Sequence, residues 1–280
     1  MIGSLIITTR EGLEASLIIG IILAYLARTG HHGYTRAVWA GAATAIAISV
    51  TIGAAIFVTV GELTETSEQV VEGAAMLLAA AVLSYMVIWM RHQASGLSAT
   101  LQSQVSNAVG TGSGLALFIL ALVAVLREGV ETALFLFAAA SASSSKDTLI
   151  GGLVGLGVAV ALGYAVYTSS NRLNLRAFFN VSGFLLIFFA AGLLVHGLHE
   201  LQEAALLPAV GGQAWDLGWF LSDEEGPGIF LKALFGYISD PSLGEVTVYT
   251  GYLAAALWYY LGRRPEPAPG RSRRAAKSGR

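Results

Sequence analysis

The chain of 280 residues contains no cysteine and few charged residues, which make up 12% of the sequence. Without cysteine there is no disulfide, no thiolate metal site and no cysteine-based redox chemistry. Any metal site must therefore use oxygen or imidazole ligands, which favour harder cations. The low charge excludes an ordinary soluble domain, in which roughly a quarter of the residues are charged.

Lysine is also scarce, and none of it lies within a long apolar segment. The three lysines are Lys146, Lys232 and Lys277. A retinal pump or photoreceptor with seven spans needs a Schiff-base lysine inside a span. That class of membrane protein is therefore excluded.

Long apolar segments dominate what is present, since 55% of the residues are hydrophobic. Each segment is long enough for the ~20 residues that cross a bilayer core. We predict an all-α polytopic membrane protein with seven transmembrane helices. The predicted spans are residues 4–27, 37–60, 69–90, 114–140, 148–168, 177–201 and 245–262.

The segments between the spans alternate in charge along the chain. The segments after the first, third and fifth spans contain arginine and no acid, whereas the opposite side is rich in acids. Since basic loops stay in the cytoplasm, we predict an N-terminus outside and a C-terminus inside. Residues 94–113 then form a cytoplasmic linker, residues 202–244 an extracytoplasmic loop, and residues 263–280 a basic disordered tail.

The two halves of the chain also resemble each other. An offset of 110 residues places Gly41 on Gly151 and aligns further glycines, namely Gly53 with Gly163 and Gly73 with Gly183. Residues 1–93 and 114–201 are therefore predicted to be two three-helix repeats. Because each repeat has three spans, the copies face opposite ways, an arrangement in which transporters bind substrate near the membrane midplane. The seventh helix, 245–262, lies outside the repeat.

A charged motif stands in the first and fourth spans, as "TTREGLEASLIIG" and "VLREGVETALFLF", related by an offset of 117 residues. On a helix, its three charged residues fall in one arc. Both motifs lie about 13 Å below the outer surface, near the bilayer centre, so the repeat would bring them together. The charged side chains are Arg10, Glu11, Glu14, Arg127, Glu128 and Glu131.

A salt bridge within each helix is the structural alternative, because Arg10–Glu14 and Arg127–Glu131 have i,i+4 spacing. It would leave Glu11 and Glu128 without an arginine. Each charge costs at least about 2.5 kcal/mol to insert at a span centre, so we favour a functional role. Four carboxylates and two guanidinium groups leave a net double negative charge, which suits a multivalent cation.

A second polar group lies at the outer end of the sixth span and at the start of the third. Imidazoles and carboxylates on one helix face can bind a transition metal, so we expect a site where the ion arrives. An ordinary polar helix end at the headgroups is the alternative, and the sequence does not decide between them. The residues are Glu72, His196, His199, Glu200 and Glu203.

R-E-G-L-E at residues 10–14, R-E-G-V-E at residues 127–131 and the seven spans resemble the oxidase-dependent iron permease family. This family includes fungal high-affinity ferric permeases and bacterial Efe-type iron permeases. "GLHELQEAALLP" at the end of the sixth span is similar to the family as well.

The resemblance implies a permease of the bacterial cell membrane that imports iron as substrate, without a cofactor, catalysis or nucleic acid. It further implies an extracytoplasmic partner that oxidises or delivers iron. The iron-carrying carboxylates would be Glu11, Glu14, Glu128 and Glu131, with Arg10 and Arg127 as motif partners.

Other functions stay open from the residues alone. Oxygen donors favour ferric iron by hardness, but ferrous iron, lead or manganese could use the same carboxylates. A membrane-embedded carboxylate-bridged metalloenzyme ranks lower. Such sites pair Glu with Glu-x-x-His motifs, and the two intramembrane motifs contain no histidine.

Overall fold

The computed structural model describes residues 1–93, 97–110, 112–168, 175–208, 211–222 and 226–262. Most of these residues are helical. The others form connecting turns and loops, with an isolated β-bridge between Gln213 and Ser242 and a short 3₁₀ helix, His32–Tyr34. The helices of the described residues are α1 (Ile2–Arg28), α2 (Thr35–Val60), α3 (Glu65–Gln93), α4 (Leu97–Gly110), α5 (Gly114–Ser141), α6 (Ser145–Thr168), α7 (Leu175–Glu203), α8 (Pro227–Phe235) and α9 (Leu243–Gly262).

Every predicted span corresponds to a helix, with ends that differ by up to four residues, as at the start of α3. By length and apolar composition, four segments of the described chain are long and apolar enough to cross a membrane. The segments are His32–Val60, Glu65–Trp89, Ser145–Ala165 and Ala177–Glu203. The chain is therefore a helical membrane protein. The helices α1 and α5 are also long and largely apolar, but each contains the three charges of its motif.

Two helices lie between the predicted spans. The predicted linker 94–113 contains α4, which packs on α1 and α5 and buries Leu101 and Val105 in an apolar cluster. The predicted outer loop 202–244 contains α8, which packs on α7 and α1. The predicted tail 263–280 lies outside the described residues.

The most extensive helix contacts are α1 with α6, α2 with α5, and α3 with α7, and α1 also contacts α5 directly. If each helix label is replaced by that of its counterpart in the other half of the chain (α1 by α5, α2 by α6, α3 by α7, and the reverse), the same set of contacting pairs results. The packing of the first three long helices on the next three is therefore reciprocal.

Small residues allow the close approach of these helices. A Cβ atom added to Gly12 of α1 would lie 2.7 Å from the Cβ of Ala159 of α6, and one added to Gly129 of α5 would meet Ser49 of α2. The two contacts are related by the offsets of 117 and 110 residues. The same offsets relate two further pairs of glycine contacts. The contact of Gly41 with Phe118 corresponds to that of Gly151 with Met1, and the contact of Gly53 with Ala133 corresponds to that of Gly163 with Ser16.

Two apolar clusters lie on either side of the charged motifs along α1 and α5. One cluster contains Ile7 and Phe135 and extends to α3, α7 and α9. The other contains Ile18 and Val125 and extends to α2 and α4. The motif charges therefore lie between two apolar layers, which strengthens electrostatic interactions by excluding water.

Candidate metal centre

The motifs of α1 and α5 bring three carboxyl groups together. Glu11, Glu128 and Glu131 each offer one oxygen, and these oxygens lie within 4.8 Å of one another. Glu14 lies close enough to Glu128 and Glu131 to interact electrostatically with both. The two helices thus form one acidic cluster, as their positions in the sequence predicted.

Burial differs within this cluster. The side chains of Glu11 and Glu128 are almost fully buried, whereas Glu14 and Glu131 are 15% and 17% exposed. Carboxylates in a buried position repel one another and lose hydration, so a multivalent cation between them relieves both penalties.

The arginines pair with the glutamates of their own helix. One guanidinium nitrogen of Arg10 lies 3.3 Å from Glu14, and another lies 3.5 Å from Glu11. The Nε of Arg127 donates a hydrogen bond of 2.9 Å to Glu131. The expectation that Glu11 lacks an arginine was wrong, because Arg10 reaches both glutamates of its motif. Of the ion pairs formed by described residues, none shorter than 4.0 Å includes Glu128.

Several carboxyl oxygens in the cluster are buried without a hydrogen bond. They are both oxygens of Glu11, one of Glu14 and one of Glu131. A buried carboxylate oxygen without a donor costs free energy that a bound cation would recover. The donors are all oxygen, so the cluster fits a hard or borderline cation such as iron.

The two arginines have different surroundings despite their equivalent positions. Arg10 is 1% exposed, whereas Arg127 is 50% exposed. The Arg127 guanidinium lies 5.4 Å from the ring centroid of Trp89, in cation–π geometry. The sequence repeat predicted equivalent arginines and gave no sign of this asymmetry.

The predicted outer residues form two groups. His199 lies 3.3 Å from Glu203, and Glu200 is close enough to Glu203 and Glu72 to interact electrostatically. Glu72 also accepts a hydrogen bond of 2.9 Å from Ser141, the last residue of α5.

His196 does not belong to this outer group. Its Nδ1 lies 2.9 Å from the carbonyl oxygen of Gly192, and its side chain lines a small cavity with Met1, Thr148 and Lys232. The predicted face of histidines and carboxylates is therefore divided, because α8 and the N-terminus of α1 pack beside His196. In the described part of the chain, the outer residues do not gather three ligand atoms as the central cluster does.

Glu245 was missed by the sequence analysis. Its carboxylate is 4% exposed and lies 2.8 Å from Nδ1 of His199. It also accepts a hydrogen bond of 2.8 Å from the backbone N–H of Ser242, whose hydroxyl accepts one of 3.2 Å from the N–H of Glu245. Ser and Glu three residues apart are the signature of a helix capping box. That signal predicts the helix start, but not the contact with His199.

The fold and the central cluster define the class of protein: a helical membrane protein with a buried carboxylate cluster between two of its long helices. Residues 1–262 match the Iron permease FTR1 family. The chain belongs to this family, as the two charged motifs predicted.

Curated relatives are similar over most of their length. The chain is 37% identical over 254 residues to the ferrous iron permease EfeU of Yersinia pestis, covering 90% of each chain. It is 35% identical over 254 residues to the ferrous iron permease EfeU of Escherichia coli O6:H1, covering 90% of this chain and 92% of the relative. No solved structure matches the chain significantly.

Proposed function

We propose that the protein imports iron across the bacterial cell membrane through the carboxylate cluster of α1 and α5. The observation that carries this proposal is the convergence of Glu11, Glu128 and Glu131 within 4.8 Å in a buried position. Glu14 completes the cluster, and Arg10 and Arg127 orient its carboxylates. Membership of an iron permease family and relatives named as ferrous iron permeases support iron as the substrate.

The proposal includes seven transmembrane helices, with α1–α3 and α5–α7 as an inverted repeat and α9 outside it. The reciprocal helix packing and the corresponding glycine contacts support a two-fold relation between the repeats. In this arrangement, α1 and α5 cross the membrane in opposite directions beside the axis. Their motifs then meet at the midplane, where inverted-repeat transporters bind substrate.

Charge balance favours ferrous iron. Four carboxylates and two guanidinium groups sum to a charge of −2, so Fe²⁺ leaves the cluster neutral and Fe³⁺ leaves it at +1. A residual charge is costly between apolar layers. The hardness of carboxylate oxygens favours ferric iron instead, but the relatives are named as ferrous iron permeases. The partner that oxidises or delivers iron outside the membrane remains a prediction from the family resemblance.

Uptake into sealed liposomes that contain the purified chain tests the substrate. Radioactive Fe²⁺ under anaerobic conditions, a soluble Fe³⁺ chelate, Mn²⁺, Pb²⁺ and Cu⁺ are supplied separately at matched concentrations. We expect iron, in one oxidation state, to enter fastest, with Cu⁺ excluded because the cluster has no soft ligand. Faster entry of Mn²⁺ or Pb²⁺ would identify a permease for another divalent metal. Catalytic oxidation of Fe²⁺ without uptake would favour the metalloenzyme.

A further inference from the structure

We propose that His199 and Glu203 form a second metal site, which binds a divalent transition-metal cation at the outer end of α7. The buried Glu245 of α9 and the partly exposed Gln69 of α3 orient these two ligands. The proposal rests on the inward iron transport proposed above, because inward transport makes an outer site the first to bind the ion.

Glu245 fixes the histidine ring. Its buried carboxylate is held by the N–H of Ser242 and lies 2.8 Å from Nδ1 of His199. A proton on Nδ1 therefore bonds to the carboxylate and leaves the lone pair of Nε2 available to a metal. A histidine that binds metal through one ring nitrogen commonly donates the other N–H to a carboxylate in this way.

Glu203 supplies the second ligand. Its Oε1 lies 3.3 Å from Nε2 of His199. Two ligands about 2.1 Å from one metal, at roughly a right angle, lie about 3 Å apart, so a single ion fits between these atoms with a small adjustment. The other carboxylate oxygen accepts a hydrogen bond of 3.3 Å from Gln69. Both ligands are thus positioned by helices other than α7.

The exposure of the pair suits a transient site. The side chains of His199 and Glu203 are 47% and 51% exposed, so water fills the remaining coordination positions and the ion exchanges readily. Glu200 interacts electrostatically with both members of this pair and also with Glu72. Glu72 in turn accepts a hydrogen bond from Ser141 at the end of α5. Acidic side chains therefore continue from the outer pair towards the helix that carries Glu128.

An ion-pair contact is the structural alternative. Protonated His199 between Glu203 and Glu245 would simply connect α7 to α9. The two roles differ in one measurable respect, because only a metal site binds Fe²⁺ when the central cluster is disabled.

Equilibrium dialysis with radioactive Fe²⁺ under anaerobic conditions separates the two roles, using the full chain in lipid nanodiscs. The starting variant is Glu11→Gln/Glu128→Gln, which removes two central ligands and leaves the outer residues intact. We expect this variant to retain one weakly bound ion. Adding His199→Gln should remove that ion, and adding Glu245→Gln should weaken its binding about 10–100-fold, as for other residues that orient a ligand.

His32→Gln, added to the same starting variant, is the matched control, because this histidine is exposed, lies between α1 and α2 and is distant in sequence from the outer pair. It should leave binding unchanged. Loss of all binding in the starting variant, or unchanged binding after His199→Gln, would overturn the outer site. Neither result would contradict the proposed function of the central cluster. That proposal would be contradicted by normal iron uptake in the starting variant. Elution volume and melting temperature verify that each variant is folded.

Discussion

Arg10 is a buried cation that forms ion pairs with two glutamates of its own helix. Its guanidinium contacts Glu11 and Glu14, and all but 1% of its side chain is covered. The equivalent Arg127 is half exposed and contacts Glu131 and Trp89. The two residues share a motif but should differ in what they contribute to stability.

We expect Arg10→Gln to lower the free energy of unfolding much more than Arg127→Gln. Removal of one partner from a buried ion pair leaves an uncompensated charge and costs about 3–5 kcal/mol. Arg10 pairs with two glutamates and is tightly packed, whereas Arg127 is half exposed and its ion pair is with Glu131, so the loss of Arg127 leaves less charge uncompensated. Thermal unfolding of the purified variants in one detergent measures the difference. Equal melting temperatures would show that the burial of Arg10 is energetically unimportant.

At the scale of single residues, the sequence predicted the members of the central cluster but not all of their partners. Helical spacing is a local property, so the common arc of Glu11 and Glu14 could be predicted. The burial of Arg10 and the contact between His199 and Glu245 depend on which helices pack around them. That tertiary information is absent from the spacing of residues in one segment.

Helix pairs in this protein approach closely where glycine faces a small residue. Gly12 of α1 packs against Ala159 of α6, and the corresponding pair of α5 and α2 is Gly129 with Ser49. Both glycines belong to the charged motifs. Their packing therefore positions the neighbouring glutamates.

We expect Gly12→Ala to destabilise the protein, since the new Cβ would lie 2.7 Å from that of Ala159. Overpacking costs about 1–3 kcal/mol and is offset by up to about 1 kcal/mol of helix propensity. Ala159→Gly should relieve the clash, and a double-mutant cycle on melting curves measures this coupling. Gly20→Ala is the matched control, because nothing lies within 4 Å of its added Cβ. Additive effects of Gly12→Ala and Ala159→Gly would contradict the close contact.

The bounds of the long helices were predictable because apolar runs of this length have few alternatives in a membrane. The helix α4 was not predicted within residues 94–113, since its sequence is polar apart from a few residues such as Leu101 and Val105. Those two side chains are buried in an apolar cluster where α4 packs on α1 and α5. Tertiary packing, and not local hydropathy, accounts for this helix.

For the whole molecule, orientation in the membrane follows from loop charge. The arginine-rich segments and the acidic segments lie at alternate ends of the predicted spans. This separation predicts that the turn between α5 and α6 faces outside and that the tail 263–280 faces the cytoplasm.

The absence of cysteine makes this orientation directly testable. Single cysteines at Ser144, Ser222 and Ser278 are exposed to a membrane-impermeant thiol reagent in intact cells. We expect labelling at the first two positions, and labelling at Ser278 only after the membrane is opened. Protection of Ser144 or Ser222 in intact cells would reverse the predicted topology.

Iron uptake by the four motif variants tests the central claim most directly. Glu11→Gln, Glu14→Gln, Glu128→Gln and Glu131→Gln preserve size but each remove one negative charge and a strong metal ligand. We compare their uptake with that of Glu65→Gln, an exposed acid at the start of α3, at equal membrane abundance. We expect each motif variant to lose at least about tenfold in uptake, equivalent to about 1.4 kcal/mol, while the control stays near normal. Near-normal uptake in any two motif variants would show that these charges serve structure and not iron transport.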